Sequence, residues 1–243
     1  MRDFNQEYKD AAGGKYAYDF DWVVRKYLLK AIAPYFKPAG RALELGCYKG
    51  DMTEQILGYF DRLTVVEAAS DLCELVAKRF PGKLEVINST FEAVRIDRGF
   101  DIVFLVHTLE HLDDPIGVLA KIKGWLAPGG RLFVAVPNAN ALSRQIAVRM
   151  GLIAHNSAVT PAEKEHGHRI TYSMDVLLHH LRAAGLSIIH EGGVLVKPLA
   201  NFQFDKALAA GIVDEKYLDG CFELGKLYPD FCASLYAVCE AKA

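Results

Sequence analysis

Apolar and polar positions along the chain switch repeatedly between a period of two and a period near 3.6. After a polar, tyrosine-rich start over 1–19, Val23, Tyr27 and Ala31 recur at helical spacing and predict a helix over 20–36, with Pro38 just beyond it. RALEL (41–45) reads as a short strand, and Met52, Ile56 and Tyr59 share one face of the next helix. RLTVVEA (62–68) is a β-branched strand. Ser70 can cap a helix over 71–80 that Pro81-Gly82 ends, and KLEVIN (83–88) is a further strand. FDIVFLV (100–106) has no polar alternation, as expected of a central parallel strand covered on both faces.

Asp114-Pro115 supplies a cap and a first-turn proline for a helix carrying Ile116, Leu119 and Leu126, which Pro128-Gly129-Gly130 stops. RLFVAV (131–136) is an apolar strand ended by Pro137. Leu177, Leu181 and Ala184 define a helix over 173–184, with Ser173 before it and Gly185 after it. LSIIH (186–190) and SLYAVC (234–239) are the last strands. After the opening helix the order is β-α-β-α-β-β-α-β-α-β-β, with a weak helix in 91–97. Alternation at this spacing predicts an α/β fold around a parallel sheet with right-handed crossovers. Two stretches, 138–172 and 192–232, fall outside the alternation, and insertions of that kind build pockets and lids.

Composition narrows the function classes. Apolar residues are 51% of the 243, enough for a sizeable core, and the net charge of −2 lacks the footprint of a general nucleic-acid binder. The 192–232 stretch has no basic run interleaved with aromatics, which also argues against RNA or DNA. It reads as a pocket wall or a homodimer contact. The five cysteines (47, 73, 221, 232, 239) make no CxxC pair, so a reduced, cytoplasmic protein is expected. MRDFNQEYKD has no apolar signal core, and the longest apolar runs fall far short of the roughly 18 residues of a membrane span.

The first chemical signal is Glu44-Leu-Gly-Cys-Tyr-Lys-Gly50, where a strand ends in a glycine turn leading into a helix. Gly46 can take a positive φ and admit a ligand to the backbone, and Gly50 lets the helix start pack closely. Glu67 closes the second strand 21 residues on, where an acid reaches ribose hydroxyls in doubly wound nucleotide-binding folds. NAD is disfavoured: its sites use G-x-G-x-x-G, whereas Tyr48 stands here between the glycines. A ligand with a ribose but no phosphate fits better.

Glu44–Gly50, Val65-Val-Glu67-Ala, Phe100-Asp-Ile-Val, Leu109-Glu-His-Leu112 and Leu126-Ala-Pro-Gly-Gly130 stand in the order seen in class I S-adenosylmethionine-dependent methyltransferases. The resemblance covers 38–137 closely and the later strands loosely. It is nearest the small-molecule enzymes, among them the ubiquinone-pathway O-methyltransferases and enzymes acting on sugars or secondary metabolites. It implies a single domain over 1–243: an N-terminal cap segment (1–37), a cofactor core (38–137), and acceptor lids at 138–172 and 192–232. The fold implied is a Rossmann-like doubly wound sheet, mostly parallel with an antiparallel final strand. The cofactor implied is S-adenosyl-L-methionine, with S-adenosyl-L-homocysteine as product. Glu44, Gly46, Cys47 and Gly50 would surround its methionine part and Glu67 its ribose hydroxyls. Ala68, Thr90 and Phe91 would meet the adenine, although Ser89 replaces the usual acid there. Val106 and His107 would lie near the sulfonium. Tyr48 departs from the glycine many members have, and Tyr16, Tyr18 and Arg25 lie in the segment that covers the cofactor in relatives.

Two clusters suit an acceptor. His107, Glu110 and His111 form H-x-x-E-H, read as a structural His111, as a metal site, or with His107 as a base whose ordinary pKa near 6.5 suits proton removal. The expectation is no metal. Glu165-His-Gly-His-Arg-Ile-Thr-Tyr172 is a glycine-containing lid loop in which His166 or His168 can act as base and Arg169 can hold an acid. His107 and His166 are the expected catalytic pair, facing a small-molecule acceptor. Methylation at oxygen is preferred over nitrogen or carbon, and a non-catalytic S-adenosylmethionine-binding protein is the rival outside enzymes.

Overall fold

The computed structural model describes residues 4–6, 18–37, 40–97 and 99–242; Tyr8 and Tyr16 lie outside the described residues. Residues 4–6 are helical, and helix α1 covers Asp19–Ile32. There follow β1 (Ala42–Leu45), α2 (Asp51–Ile56), β2 (Leu63–Glu67), α3 (Ser70–Arg79), β3 (Leu84–Asn88), β4 (Phe100–Val106), α4 (Pro115–Trp125) and β5 (Leu126–Pro137). After β5 come α5 (Leu142–Arg149), α6 (Pro161–Glu165), α7 (Met174–Ala183), β6 (Leu186–Val196), α8 (Asn201–Ala209), α9 (Glu215–Leu227) and β7 (Cys232–Ala241). The seven strands form one sheet in the order β3-β2-β1-β4-β5-β7-β6. β1 to β5 are parallel, and β7 runs antiparallel to both β5 and β6. Strand order reverses between β1 and β4, so a crevice opens beyond their carboxyl ends.

FDIVFLV pairs with β1 along one edge and β5 along the other, with Ile102 and Phe104 feeding one core and Val103 and Leu105 the other. On the first face α1, α8 and α9 pack together; Phe20 and Phe204 lie 4.5 Å apart, and Tyr27 and Phe222 5.2 Å. On the second face Val118 and Leu119 of α4 meet Leu177 and Leu181 of α7. Among the described residues no helix is long and apolar enough to cross a membrane.

Three local expectations change. The weak helix at 91–97 is a single turn at 91–93. Pro128-Gly129-Gly130 lies inside β5 rather than before it, because the ladder with β4 starts at Phe100–Leu126 and shifts register before Ile102–Arg131. A Cβ on Gly130 would sit 2.4 Å from the Phe100 carbonyl oxygen, so only glycine lets the two strands stay in contact there. Gly192-Gly193 also lies within a strand, β6. A Cβ on Gly193 would fall 2.5 Å from the Pro229 oxygen and 2.6 Å from Cys232, so these glycines admit close packing rather than mark a loop.

Candidate functional site

A cleft of about 410 Å³ lies at the carboxyl ends of β1, β2 and β4. Its floor begins at Gly46, whose φ of 77° turns the chain out of β1 and whose N–H donates to Val66 O at 2.9 Å. A Cβ there would stand 2.9 Å from Thr108 Oγ1. Gly50, with φ of 89°, serves packing instead: a Cβ would press to 2.7 Å of the Phe80 ring. Glu67 reaches the cleft from the end of β2. Its carboxylate accepts from Ala69 N at 3.1 Å and Tyr48 N at 3.3 Å, and burial still raises its pKa.

Of the sequence-predicted cofactor residues, Gly46, Glu67, Ala68, Thr90 and Phe91 line this cleft, joined by Tyr48 and Leu72. Glu44, Cys47, Gly50 and Val106 do not. Glu44 is buried beneath it and accepts from Thr53 Oγ1 at 2.6 Å, and burial pushes its pKa up to about 8. Cys47 is buried with Sγ 3.9 Å from Glu67 Oε2, and Val106 packs on the core of the α1 face.

Arg25, placed by its sequence in the segment that covers the cofactor in relatives, is a functional candidate outside the residues expected to bind the cofactor. Its side chain is 16% exposed and among the described residues has one ion pair, a long one of 4.0 Å to Asp51, while its charge acts on Glu44, His107 and Glu110. A guanidinium covered this far without a hydrogen bond among the described residues suits an anion. Helical phase on α1 was the available signal, since Arg25 shares a face with the buried Leu28 and Leu29, three and four residues on.

His107 lines the cleft, but not as the base expected of it. Its φ of 49° turns the ring toward β7, where Nε2 lies 2.9 Å from Ser234 Oγ. Burial first, then the charges of Arg25, His168 and His111, lower its pKa to about 3. The expected pKa near 6.5 assumed a solvated ring; in this position the imidazole stays uncharged and is a poor proton sink.

The H-x-x-E-H spacing does not assemble as one group. The turn at Leu109–His111 buries Glu110, and it is His168, not His107, that comes within reach of Glu110 and His111. Glu110 is buried, neither carboxylate oxygen has a hydrogen bond among the described residues, and burial raises its pKa to about 8. His111 Nε2 stands 4.0 Å from Glu110 Oε1, and its ring meets that of His168 edge-on at 4.6 Å. Glu110, His111 and His168 each offer one ligand atom, all within 4.8 Å of one another, a donor set that can take a divalent cation.

The lid segment reaches the cleft through Lys164, Glu165, His166, Gly167 and Arg169. Arg144 on α5 fixes it. Its guanidinium donates to Asn156 O at 2.5 Å, to the Ala158 carbonyl, and to both Glu163 carboxylate oxygens at 2.6 and 3.3 Å. Glu163 closes a capping box with Thr160, and Arg169 N–H donates to Glu110 O at 2.8 Å while Arg169 Nε pairs with Asp113 at 3.0 Å. The 192–232 stretch, expected to roof the cleft, contributes no lining residue; its helices cover the α1 face.

The methyltransferase domain family matches residues 22–191 of the chain. The ubiquinone biosynthesis O-methyltransferase of Burkholderia thailandensis is 27% identical over 191 residues, covering 76% of this chain and 78% of that one. The mitochondrial ubiquinone biosynthesis O-methyltransferase of Schizosaccharomyces pombe is 25% identical over 179 residues, covering 71% and 64%. Among solved structures, a Haloferax volcanii putative methyltransferase in complex with the Trm112 activator has a TM-score of 0.67 at 14% identity, covering 100% of this chain and 98% of that one. The N-methyltransferase NodS of Bradyrhizobium japonicum, bound to S-adenosyl-L-homocysteine, has a TM-score of 0.62 at 14% identity, with both chains fully covered. These structural likenesses share the fold.

Proposed function

The chain belongs to the methyltransferase domain family, and we propose that it transfers the methyl group of S-adenosylmethionine to an oxygen of a small-molecule acceptor. The observation that carries this is Glu67: a buried carboxylate at the end of β2, reaching the cleft between the Gly46 turn and the Thr90-Phe91 wall. Glu67 would hold the ribose hydroxyls, with Ala68, Leu72, Thr90 and Phe91 around the adenine. The bare backbone at Gly46 would admit the methionine part, and Arg25, lacking a hydrogen bond, would meet its carboxylate. Glu44 and Cys47 act from behind this floor, and Gly50 fixes the start of α2.

When bound, the cofactor supplies an electrophilic methyl on a sulfonium. The chain aligns the acceptor for in-line attack and keeps water out, the usual protein contribution to such a displacement. His166 and Arg169 on the lid and His107 at the end of β4 form the acceptor side. Oxygen is favoured because the curated relatives just described are named O-methyltransferases. The name of NodS keeps an amine acceptor as the second reading.

Thermal shift and titration calorimetry test the cofactor. S-adenosylhomocysteine should raise the melting temperature and NAD should not. Glu67→Ala should weaken S-adenosylhomocysteine binding by at least about tenfold, since hydrogen bonds to a charged group contribute about 1.5–3 kcal/mol each. Unchanged affinity in that variant would remove the ribose from Glu67. His166→Ala should leave cofactor affinity intact while lowering turnover.

A further inference from the structure

The bond between His107 and Ser234 joins residues 127 positions apart and belongs to none of the cofactor contacts. Ser234 is 2% exposed, locked by strand pairing opposite Pro137 and Val194. Among the described residues its hydroxyl has one hydrogen-bond partner, the His107 Nε2. A buried hydroxyl proton left unpaired is costly. If Nε2 carried the ring proton and donated it to Ser234, the hydroxyl proton would have nowhere to go. If the hydroxyl donates to a bare Nε2, every buried proton of the pair is satisfied. A neutral ring must then carry its single proton on Nδ1. Nδ1 has no partner among the described residues, and His107 lines the cleft beside Gly46 and Thr108.

From this accounting we propose that Ser234 is a positioning residue that holds His107 as a neutral hydrogen-bond donor, with Nδ1–H directed at the acceptor. The acceptor group held there carries a lone pair for that donor, and the class it fits is an acidic oxygen acceptor, a phenol or enol that arrives as its oxyanion. The inference deepens the methyl-transfer reading and rests on it. It also reverses the proton direction expected of His107, which gives a hydrogen bond instead of taking a proton. Neutral imidazole donors stabilise oxyanions in this way elsewhere. The φ of 49° at His107, in a region that side-chain-bearing residues rarely occupy, is what turns the ring onto Ser234.

Side-chain ¹⁵N NMR on ¹⁵N-histidine-labelled protein at neutral pH reads the ring directly, with His107→Gln assigning the signal. The expected spectrum has a protonated-type Nδ1 and a bare-type Nε2 for His107, with and without S-adenosylhomocysteine. Ser234→Ala should lose that pure tautomer and Ser234→Thr should restore it. A predominant Nε2–H tautomer, or an unchanged spectrum in Ser234→Ala with its melting temperature preserved, would overturn the proposal. For the substrate class the probe is 4-nitrophenol added to the S-adenosylhomocysteine-loaded protein. Binding of its coloured anion in preference to the neutral form supports the class; binding of the neutral form, or none, removes it. Loss of the S-adenosylhomocysteine thermal shift would instead defeat the methyl-transfer reading and leave the tautomer result standing.

Discussion

The stretches 138–172 and 192–232 interrupt the same alternation and leave the same end of the sheet, since β7, antiparallel to β5, starts where β5 and β6 end. They then part. The first stays at the strand ends, pinned by the polar fork of Arg144, and puts Lys164, His166 and Arg169 on the cleft. The second carries buried Phe204, Leu218 and Phe222, and it folds down over the sheet onto α1. The difference teaches that an interruption becomes a lid when polar side chains hold it. It becomes core when its helices carry an apolar stripe facing an equally apolar neighbour.

That contrast can be broken by substitution. Phe204→Ala should have the largest effect, about 3–5 kcal/mol of stability lost to an unfilled cavity, with S-adenosylhomocysteine affinity unchanged where the protein remains folded. Denaturant titration and calorimetry check both halves of the statement, and a selective loss of ligand would move α8 into the site. Arg144→Ala should cost less, about 2 kcal/mol for lost charge-assisted bonds. It should speed hydrogen exchange at the His168 and Arg169 amides, and uniform exchange across the chain would deny the fork its local role.

A pH dependence in the second stretch sharpens the contrast further. Lys197 is buried beside Phe20 and Phe204, and desolvation lowers its pKa to about 8 from an ordinary 10.5. Between those values the unfolded chain holds more protons than the folded one, so stability should rise with pH across that window. Lys197→Met should flatten the rise and leave the variant at least as stable as the parent below pH 8. Melting curves across that range read the difference.

Much of the sheet was legible because continuous apolar runs such as FDIVFLV and short glycine turns are local signals. The end of β2 at Glu67 and the floor at Gly46 were legible for the same reason. What stayed hidden is long-range. His107 meets Ser234, and Glu110 meets His168, across stretches whose return path no periodicity states. A motif spacing of three and four residues suggested that His107, Glu110 and His111 act together, yet Glu110 and His111 gather with His168 while His107 bonds to Ser234. Buried environment was equally invisible, so the pKa of His107 could only be taken as ordinary. Gly192-Gly193 looked like a loop because the close approach of Cys232 that requires glycine is made by a distant segment.

All five cysteines are buried free thiols. Burial pushes Cys73 up to about 11 and Cys232 and Cys239 up to about 12, and it raises Cys47 and Cys221 as well. Few thiolates form near neutrality and little of any reaches the surface, so the folded protein should be almost silent to maleimides. The native chain therefore already behaves as a cysteine-free background for labelling. A single cysteine placed at Met150, 67% exposed at the end of α5, would carry a fluorophore on the helix that holds Arg144 and report on that stretch without any cysteine being removed first.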